Sequence, residues 1–591
     1  MKKRVADIIM EILTSFDITD CFAVVGGGAM YLDNALAINS NINKVFCHHE
    51  QACAMAADSY ARVSGKMACV CVTSGPGASN TLTGVIGAWQ DSIPMVVLSG
   101  QVRYDISIKK SGLKLRCRGT QELDIVPIVQ HCTNYAVMVT DPMDIKYELE
   151  KAIYLAMEGR RGPVWLDIPM DVQSAIIEED NLRSFEPEVK EEKTINEIKG
   201  IFEILRQSKR PCILLGSAIV SANLREQLEV FLQKVRIPVI GASWNADILY
   251  GEHELFYGLS GNIGPRTGNF ILQNADVLLV LGNSLSFRQT GFHQKEFAKN
   301  AKIIMIDIDA QEAKKPGLNI YKYVQLDLKE FFKLLEKNNE EYEAEIEWIS
   351  YCEHLKERFS PYESLSNITM NERVGAYYFW KKFEENAPDN YVLALGNNSG
   401  CSSKLQIGTQ KKEQRVVTNF ACGSMGFELP AAVGAAVALK REIYCITGDG
   451  SIMMNLQELQ TIKQYRLPVK VVIFANDGYN AIRQTSKNFF DGVYIGCTAD
   501  TGVSFPSFEG IARAFDYKYL KCESNENLEK ILKNFFIMEG NILLEIEQRF
   551  DDPVIPKVMS RMNEDGTLST PALEDMYPFI DKDEYQSLML W

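Results

Sequence analysis

The residues of this chain best suited to chemistry are an acid and an amide, Asp449 and Asn476, placed 27 positions apart. Each follows an apolar run of strand length. Residues 443–446 lead into Thr447-Gly448-Asp449-Gly450, and residues 469–474 lead into Asn476-Asp477-Gly478. A carboxylate, an amide oxygen and a backbone carbonyl such as that of Gly478 make a hard oxygen shell, which suits Mg²⁺ or Ca²⁺, and no Cys/His grouping argues for zinc. Gly450 and Ser451 open a helix whose free amides and positive end can receive a phosphate oxygen while the cation bridges others. The pair at this spacing therefore describes a diphosphate site, although either residue alone reads equally as a helix cap or a loop turn.

For the two side chains to meet, their strands must be parallel neighbours joined by a helix at about 456–465, because a right-handed crossover presents both carboxyl ends on one sheet edge. Apolar strand-length runs alternate with helix-period segments almost throughout, the pattern of α/β domains built on parallel sheets. Two acidic, weakly apolar segments interrupt it, at about 178–197 and 337–371. They divide the chain into domains 1–178, 198–336 and 372–550, followed by a tail, 551–591. The outer two echo each other. From Gly75 to Pro94 is 19 positions and from Gly448 to Pro468 is 20, each spanning a strand, a turn, a helix and the next strand. The echo reads as a shared topology or as the common dimensions of any βαβ unit.

With 591 residues, 46% of them hydrophobic and 24% charged, the chain exceeds one core and suits three globular domains. A net charge of −15 disfavours nucleic acid and anionic membranes, so a phosphate-bearing ligand must be held locally. The apolar stretch 431–439 is too short to span a bilayer, so no membrane span is expected. Asp7 and Glu11 interrupt the stretch after the basic Met1-Lys2-Lys3-Arg4, so 5–16 reads as an amphipathic helix rather than a signal segment. Fourteen cysteines without a regular framework fit reduced thiols in a cytoplasmic protein, with Cys47, Cys69 and Cys71 as core residues.

The run from Gly448-Asp449-Gly450 to Asn476 resembles the thiamine-diphosphate-binding motif of the acetolactate synthase and pyruvate decarboxylase superfamily. The segment His48-His49-Glu50-Gln51-Ala52-Cys53 resembles that family's activating-glutamate motif. By itself Glu50 would be a first-turn acid favoured by the helix dipole. The resemblance implies that it hydrogen-bonds the cofactor's pyrimidine ring and so promotes loss of the thiazolium proton. Thr73-Ser74-Gly75-Pro76-Gly77-Ala78-Ser79-Asn80, Ser99-Gly100-Gln101-Val102 and Gln121-Glu122 occur in the order and spacing of acetolactate synthase large subunits. Gly27, Gly28, Gln101 and Gln121 are thereby implied as active-site groups, with Pro76 and Asn80 at the cofactor. In the third domain Gly396-Asn397-Asn398 matches a diphosphate-contacting loop. The segment Cys422-Gly423-Ser424-Met425-Gly426 matches the pyrimidine grip, with Met425 as a wedge and the Gly423 carbonyl facing the amino group. Gly448, Gly450, Ser451 and Gly478-Tyr479-Asn480-Ala481-Ile482 complete the implied cofactor set, and Asp449, Asn476 and Gly478 the Mg²⁺ shell.

The resemblance implies three doubly wound parallel-sheet domains: pyrimidine-binding, central Rossmann-like and diphosphate-binding. It implies FAD in the centre, near Arg160, Gly216, Gly282, Arg288 and Asp307, although a close-spaced glycine fingerprint is absent and some relatives carry an ADP-binding or empty version. Asp309 joins Asp307 as a candidate for a ribose hydroxyl. The implied reaction is decarboxylation of a 2-keto acid, pyruvate first, with transfer of the two-carbon unit to a carbonyl acceptor. A homodimer or homotetramer with active sites at the subunit interface is implied. Departures from housekeeping members are Met170 in Pro169-Met170-Asp171-Val172 and the run Gly478 to Thr485 with Asn488-Phe489-Phe490; His48-His49-Glu50 and the tail Asp565-Gly566-Thr567 through Leu573-Glu574-Asp575-Met576 stand with them. These look more like the carboligases of surface-polysaccharide gene sets, which implies a nucleotide-linked keto deoxysugar as acceptor, with Arg483 meeting its phosphate. A housekeeping acetolactate synthase subunit and a non-catalytic homologue stay open as alternatives. A Rossmann dehydrogenase is disfavoured, because no Gly-x-Gly-x-x-Gly follows an early strand.

Overall fold

Three six-stranded sheets, parallel throughout, organise the computed structural model, which describes residues 2–188, 196–337, 340–362, 365, 368–562 and 567–591. Parts of both acidic connections, and Asp565-Gly566 of the tail, lie outside the described residues. The first sheet runs Asn43–Phe46, Asp20–Ala23, Cys69–Val72, Met95–Gln101, Pro163–Pro169, Tyr135–Met138. The third runs Arg415–Val417, Val392–Leu395, Ile443–Gly448, Val469–Ala475, Ile542–Glu547, Lys518–Cys522. Counted along the chain within each unit, both orders are 2-1-3-4-6-5. The echo between the outer units is thus a shared topology. Their central strands are buried along their whole length, as expected when helices cover both faces of a parallel sheet.

The middle sheet has the order 3-2-1-4-5-6, that of the dinucleotide-binding fold. Two of its strands, Phe256–Ser260 and Ile320–Gln325, have no counterpart in the sequence reading, since the first is interrupted by glycine and the second is a polar edge. The expected crossover helix at 456–465 is found as Glu458–Gln464, preceded by a separate single turn, Asp449–Ile452. The charged connection holds the helix Ile346–Arg358, whose Trp348 donates to the Pro211 carbonyl at 2.8 Å. The tail crosses back to the middle unit, where Asn269 and Asn274 donate to the carbonyls of Leu573 and Leu588, each at 3.0 Å. No described helix is long and apolar enough to cross a membrane.

The outer units meet through two helices rich in small residues, Glu50–Ser64 and Glu428–Leu439. The Ser59 hydroxyl donates to the Ala431 carbonyl at 2.6 Å, and a Cβ on Gly434 would fall 2.0 Å from the Ala56 carbonyl oxygen. Only glycine permits that backbone approach. The pairing of Ser59 with Ala431 and of Ala56 with Gly434 makes the helices antiparallel.

Candidate active site

Strands Ile443–Gly448 and Val469–Ala475 are in register, Gly448 opposite Phe474, so the residues just beyond them emerge side by side. Asp449 Oδ2 accepts from the Asn476 and Gly478 amides at 2.9 and 3.2 Å, and Oδ1 from the Gly450 amide at 2.8 Å. Burial pushes the Asp449 carboxyl up to about 6, against the pull of those three N–H groups. Such a carboxyl gains strongly from a nearby cation. Among the described residues no group of three His, Cys, Asp or Glu side chains is placed to hold a metal. A hard cation here would therefore complete its shell with the Asn476 amide and backbone oxygens, a donor set that fits Mg²⁺.

Two glycines shape this turn. A Cβ on Gly450 would lie 2.2 Å from the Tyr479 ring, and one on Gly478, at φ +144°, 2.0 Å from the Cys497 carbonyl. Asn476 Nδ2 donates to Gln548 at 3.1 Å and Asn480 Nδ2 to the Asp552 carbonyl at 2.8 Å, whereas Ala481 and Ile482 are exposed.

Arg483 corrects an expectation. It is fully buried, and its Nη2 donates to the Asn476 carbonyl at 3.0 Å and to the Phe550 carbonyl, with the guanidinium 3.8 Å from the Phe550 ring centre. The side chain staples the cation turn to the start of the tail and has no surface left for an acceptor's phosphate.

The diphosphate loop and pyrimidine grip converge on the same turn. Asn398 caps the helix Ser399–Ile407 through the Cys401 amide at 2.8 Å, so its side chain is committed. Asn397 donates to the Gly423 carbonyl at 2.8 Å, leaving that oxygen one lone pair for a ligand. Met425 is half-buried beside Gly426, whose amide donates to Ser451 Oγ at 2.9 Å, while Gly448 packs on Asn398. Sequence reasoning passed over Glu428, which lies wholly buried under Gly396 and bonds to Thr447. Its signal was an acid inside the otherwise apolar run Phe427 to Ala436.

In the first unit His49 caps the helix that Glu50 opens, its Nδ1 accepting from the Gln51 amide at 3.1 Å. Glu50 Oε2 accepts from Asn80 at 3.0 Å, and Gly77 borders its other oxygen. Pro76 starts the short helix that carries both and is exposed. Gly28 donates to Thr73 at 2.9 Å, while Gly27 faces open space, where a Cβ would meet nothing within 4 Å. Gln121, at φ +59°, lays its carbonyl on Gly75. Gln101 is not brought to this group. Its Nε2 donates to Asp167 at 3.0 Å and to the Leu123 carbonyl at 2.7 Å, and its Oε1 accepts from the Val102 amide. It organises Asp167, which burial pushes up to about 7.

A cavity of about 910 Å³ lies where the three units meet, lined by Arg160 of the first, Gly282, Arg288 and Asp307 of the middle and Phe420 of the third. Gly216 backs onto Gly282 at 2.0 Å from where a Cβ would stand. Arg160 joins Asp309 and Glu312 at 2.9 and 2.8 Å, so Asp309 is committed to that ion pair, while burial pushes Asp307 up to about 6. The volume and the strand order suit a nucleotide-sized ligand.

Three family models match in the order of the sheets: the thiamine pyrophosphate enzyme N-terminal TPP binding domain over residues 3–126, the central domain over 198–331, and the C-terminal TPP binding domain over 398–546. The chain is 30% identical over 560 residues to the acetolactate synthase large subunit of Buchnera aphidicola subsp. Schizaphis graminum, covering 93% of this chain and 95% of the relative. It is 30% identical over 575 residues to the chloroplastic acetolactate synthase of Arabidopsis thaliana, covering 94% and 83%. With the large subunit of Haemophilus influenzae it shares 29% over 553 residues, covering 91% and 93%. Two sheets of one topology flanking a dinucleotide-type sheet, matched end to end by these models and relatives, make the chain a thiamine-diphosphate-dependent enzyme of the thiamine pyrophosphate family, similar to acetolactate synthase large subunits.

Proposed function

We propose that this enzyme decarboxylates a 2-keto acid, pyruvate first, and joins the two-carbon unit to the keto group of a phosphate-bearing acceptor, a nucleotide-linked deoxysugar. The cofactor, when bound, supplies the electron sink that cleaves the keto acid. Asp449, Asn476 and the Gly478 carbonyl would hold Mg²⁺, the Ser451 hydroxyl would receive the diphosphate while the Gly450 amide stays on Asp449, and Glu50 would hydrogen-bond the pyrimidine. Asn80 orients Glu50, and Gly27 leaves space for substrate.

The observation that carries the acceptor class is a basic loop. It leaves the carboxyl end of strand Met95–Gln101 and returns at Gln121, against Gly75 and hence beside Gly77 and Glu50. Between Arg103 and Arg118 it holds six cations, all exposed, and one acid, on a chain of net charge −15. Glu122 pins it by accepting from the Gly119 amide at 2.8 Å. A cationic rim at the mouth favours an anionic acceptor. A second reading, acetolactate synthesis with a keto acid as acceptor, is supported by the names and coverage of the relatives.

The proposal includes FAD in the 910 Å³ cavity, domains at 1–178, 198–336 and 372–550, a cytoplasmic location, and a homodimer or larger. Incubation with pyruvate, thiamine diphosphate and Mg²⁺, with and without nucleotide-linked keto sugars, and identification of the products by mass spectrometry tests it. A branched sugar supports the first reading; acetolactate alone supports the second. A yellow preparation with a flavin absorbance band is expected, and a colourless one refutes FAD.

A further inference from the structure

Lys557 stands where the tail passes from the third unit to the middle one. Its backbone pairs both ways with Tyr577, amide to carbonyl at 3.0 Å and carbonyl to amide at 2.8 Å, so its position is fixed. The next amide, that of Val558, donates to the Asn262 carbonyl at 2.8 Å, and the Asn262 amide donates to the carbonyl of Arg288, which lines the 910 Å³ cavity. Lys557 Nζ reaches the other unit, donating to Gln484 Oε1 at 3.3 Å. Gln484 lies on the helix Asn480–Phe489, which begins just past the cation turn and exposes Ala481 and Ile482. The lysine thus occupies the seam between the cofactor turn's helix and a loop that touches the nucleotide-sized cavity.

Its ammonium is half-buried and has no acid beside it. Of its three donors, one meets the neutral Gln484 oxygen, its one partner among the described residues. Burial lowers the Lys557 pKa, and no carboxylate opposes that shift. The two fully buried lysines are satisfied differently, Lys404 by Glu384 and Lys470 by Glu442. The Asn262 side-chain oxygen, in the adjoining loop, is likewise buried without a partner. A partly desolvated, unpaired charge is a cost to the fold, and it gains strongly from an anion brought to it. Gln484 is four residues past Asn480, about 6 Å of helix rise. That offset favours a phosphate carried a sugar ring away from the reacting carbonyl over the carboxylate of a second keto acid, which adjoins its carbonyl. We infer that Lys557 is a specificity-determining residue that receives a phosphate of the acceptor. A compact point charge suits that group. The inference rests on the reading of the acceptor as a nucleotide-linked sugar.

Calorimetric titration of the full-length holoenzyme, in saturating thiamine diphosphate, Mg²⁺ and FAD, tests it with cytidine, uridine, thymidine and guanosine diphosphates as probes. At least one is expected to bind the wild type, to bind K557M at least tenfold more weakly, and to bind K557R, which keeps a cation, within about fivefold. K557M is also expected to hold thiamine diphosphate as tightly as wild type and to melt no lower, because it removes an unpaired charge. Equal probe binding by wild type and K557M overturns the inference, as does a thiamine diphosphate affinity that falls in step with that of the probe. K557Q is the second uncharged variant, and if neither it nor K557M folds by circular dichroism, Lys557 is structural and the inference is lost. Binding of no probe to the wild type also overturns it. A branched sugar formed by that same wild type would then leave the acceptor reading standing without Lys557, whereas no branched sugar from any keto sugar would sink both.

Discussion

Glu50 and Glu428 head two helices that pack antiparallel, and so stand at opposite ends of the pair. With Ala56 level with Gly434, they lie about 18 Å apart along the axis at a rise of 1.5 Å per residue. The packed length of both helices separates the pyrimidine-side acid from the cradle side of the same chain. A coenzyme spanning the two places is therefore expected to use Glu50 from a second copy. Glu50→Gln and Asp449→Asn variants, each inactive alone, should on mixing and reassembly recover roughly a quarter of wild-type turnover, since half the dimers are mixed and each of those holds one intact site. No recovery despite mixed dimers detected by native mass spectrometry would show that each chain completes its own site.

Glu50→Gln should lower turnover by about two to four orders of magnitude while leaving thiamine diphosphate affinity nearly unchanged, because the amide keeps the contact and the Asn80 bond but not the acid–base role. Steady-state kinetics with calorimetry on one preparation checks both. Unchanged turnover would refute the role of Glu50.

Arg483→Met should act on stability rather than on acceptor use. Removing the guanidinium strands the Asn476 and Phe550 carbonyls, at an expected cost of about 2–4 kcal/mol. Chemical denaturation should show this, with an unchanged KM for the acceptor among the molecules that fold. A raised KM at wild-type stability would return Arg483 to the substrate.

Asp167 predicts a pH dependence of stability. Its folded carboxyl is pushed up to about 7, above the unfolded value, so the folded state holds a proton that the unfolded state has released. That contribution is complete below the ordinary aspartate range and disappears as pH rises through about 7, at up to about 1.4 kcal/mol per pH unit between. Asp167→Asn should flatten this part of the profile when melting temperatures are compared from pH 5 to pH 8. An equal slope in wild type and variant would remove Asp167 as its source.

Gly450→Ala should weaken cofactor binding, because its methyl would stand 2.2 Å from the Tyr479 ring. Adding Tyr479→Ala should restore most of the loss by vacating that space. A double variant weaker than Gly450→Ala would mean that Tyr479 itself contacts the ligand.

Local pattern made much of this legible: the parallel α/β class from apolar runs of strand length, the Asp449 and Asn476 pair from its spacing, and Glu50 from its motif. These signals survive in one dimension because a crossover of fixed length carries two strand ends to one edge. The equality of the outer sheets was only half visible, since two βαβ units of similar length do not specify the order of six strands. Gln101, Arg483 and Glu428 were not legible, because their roles depend on partners 66, 67 and 19 positions away. Residue type and spacing determined which chemistry the chain could host. Tertiary structure decided which polar side chains remain available for it, because a buried hydrogen-bonding group must find its partners within the fold before any is left for a ligand.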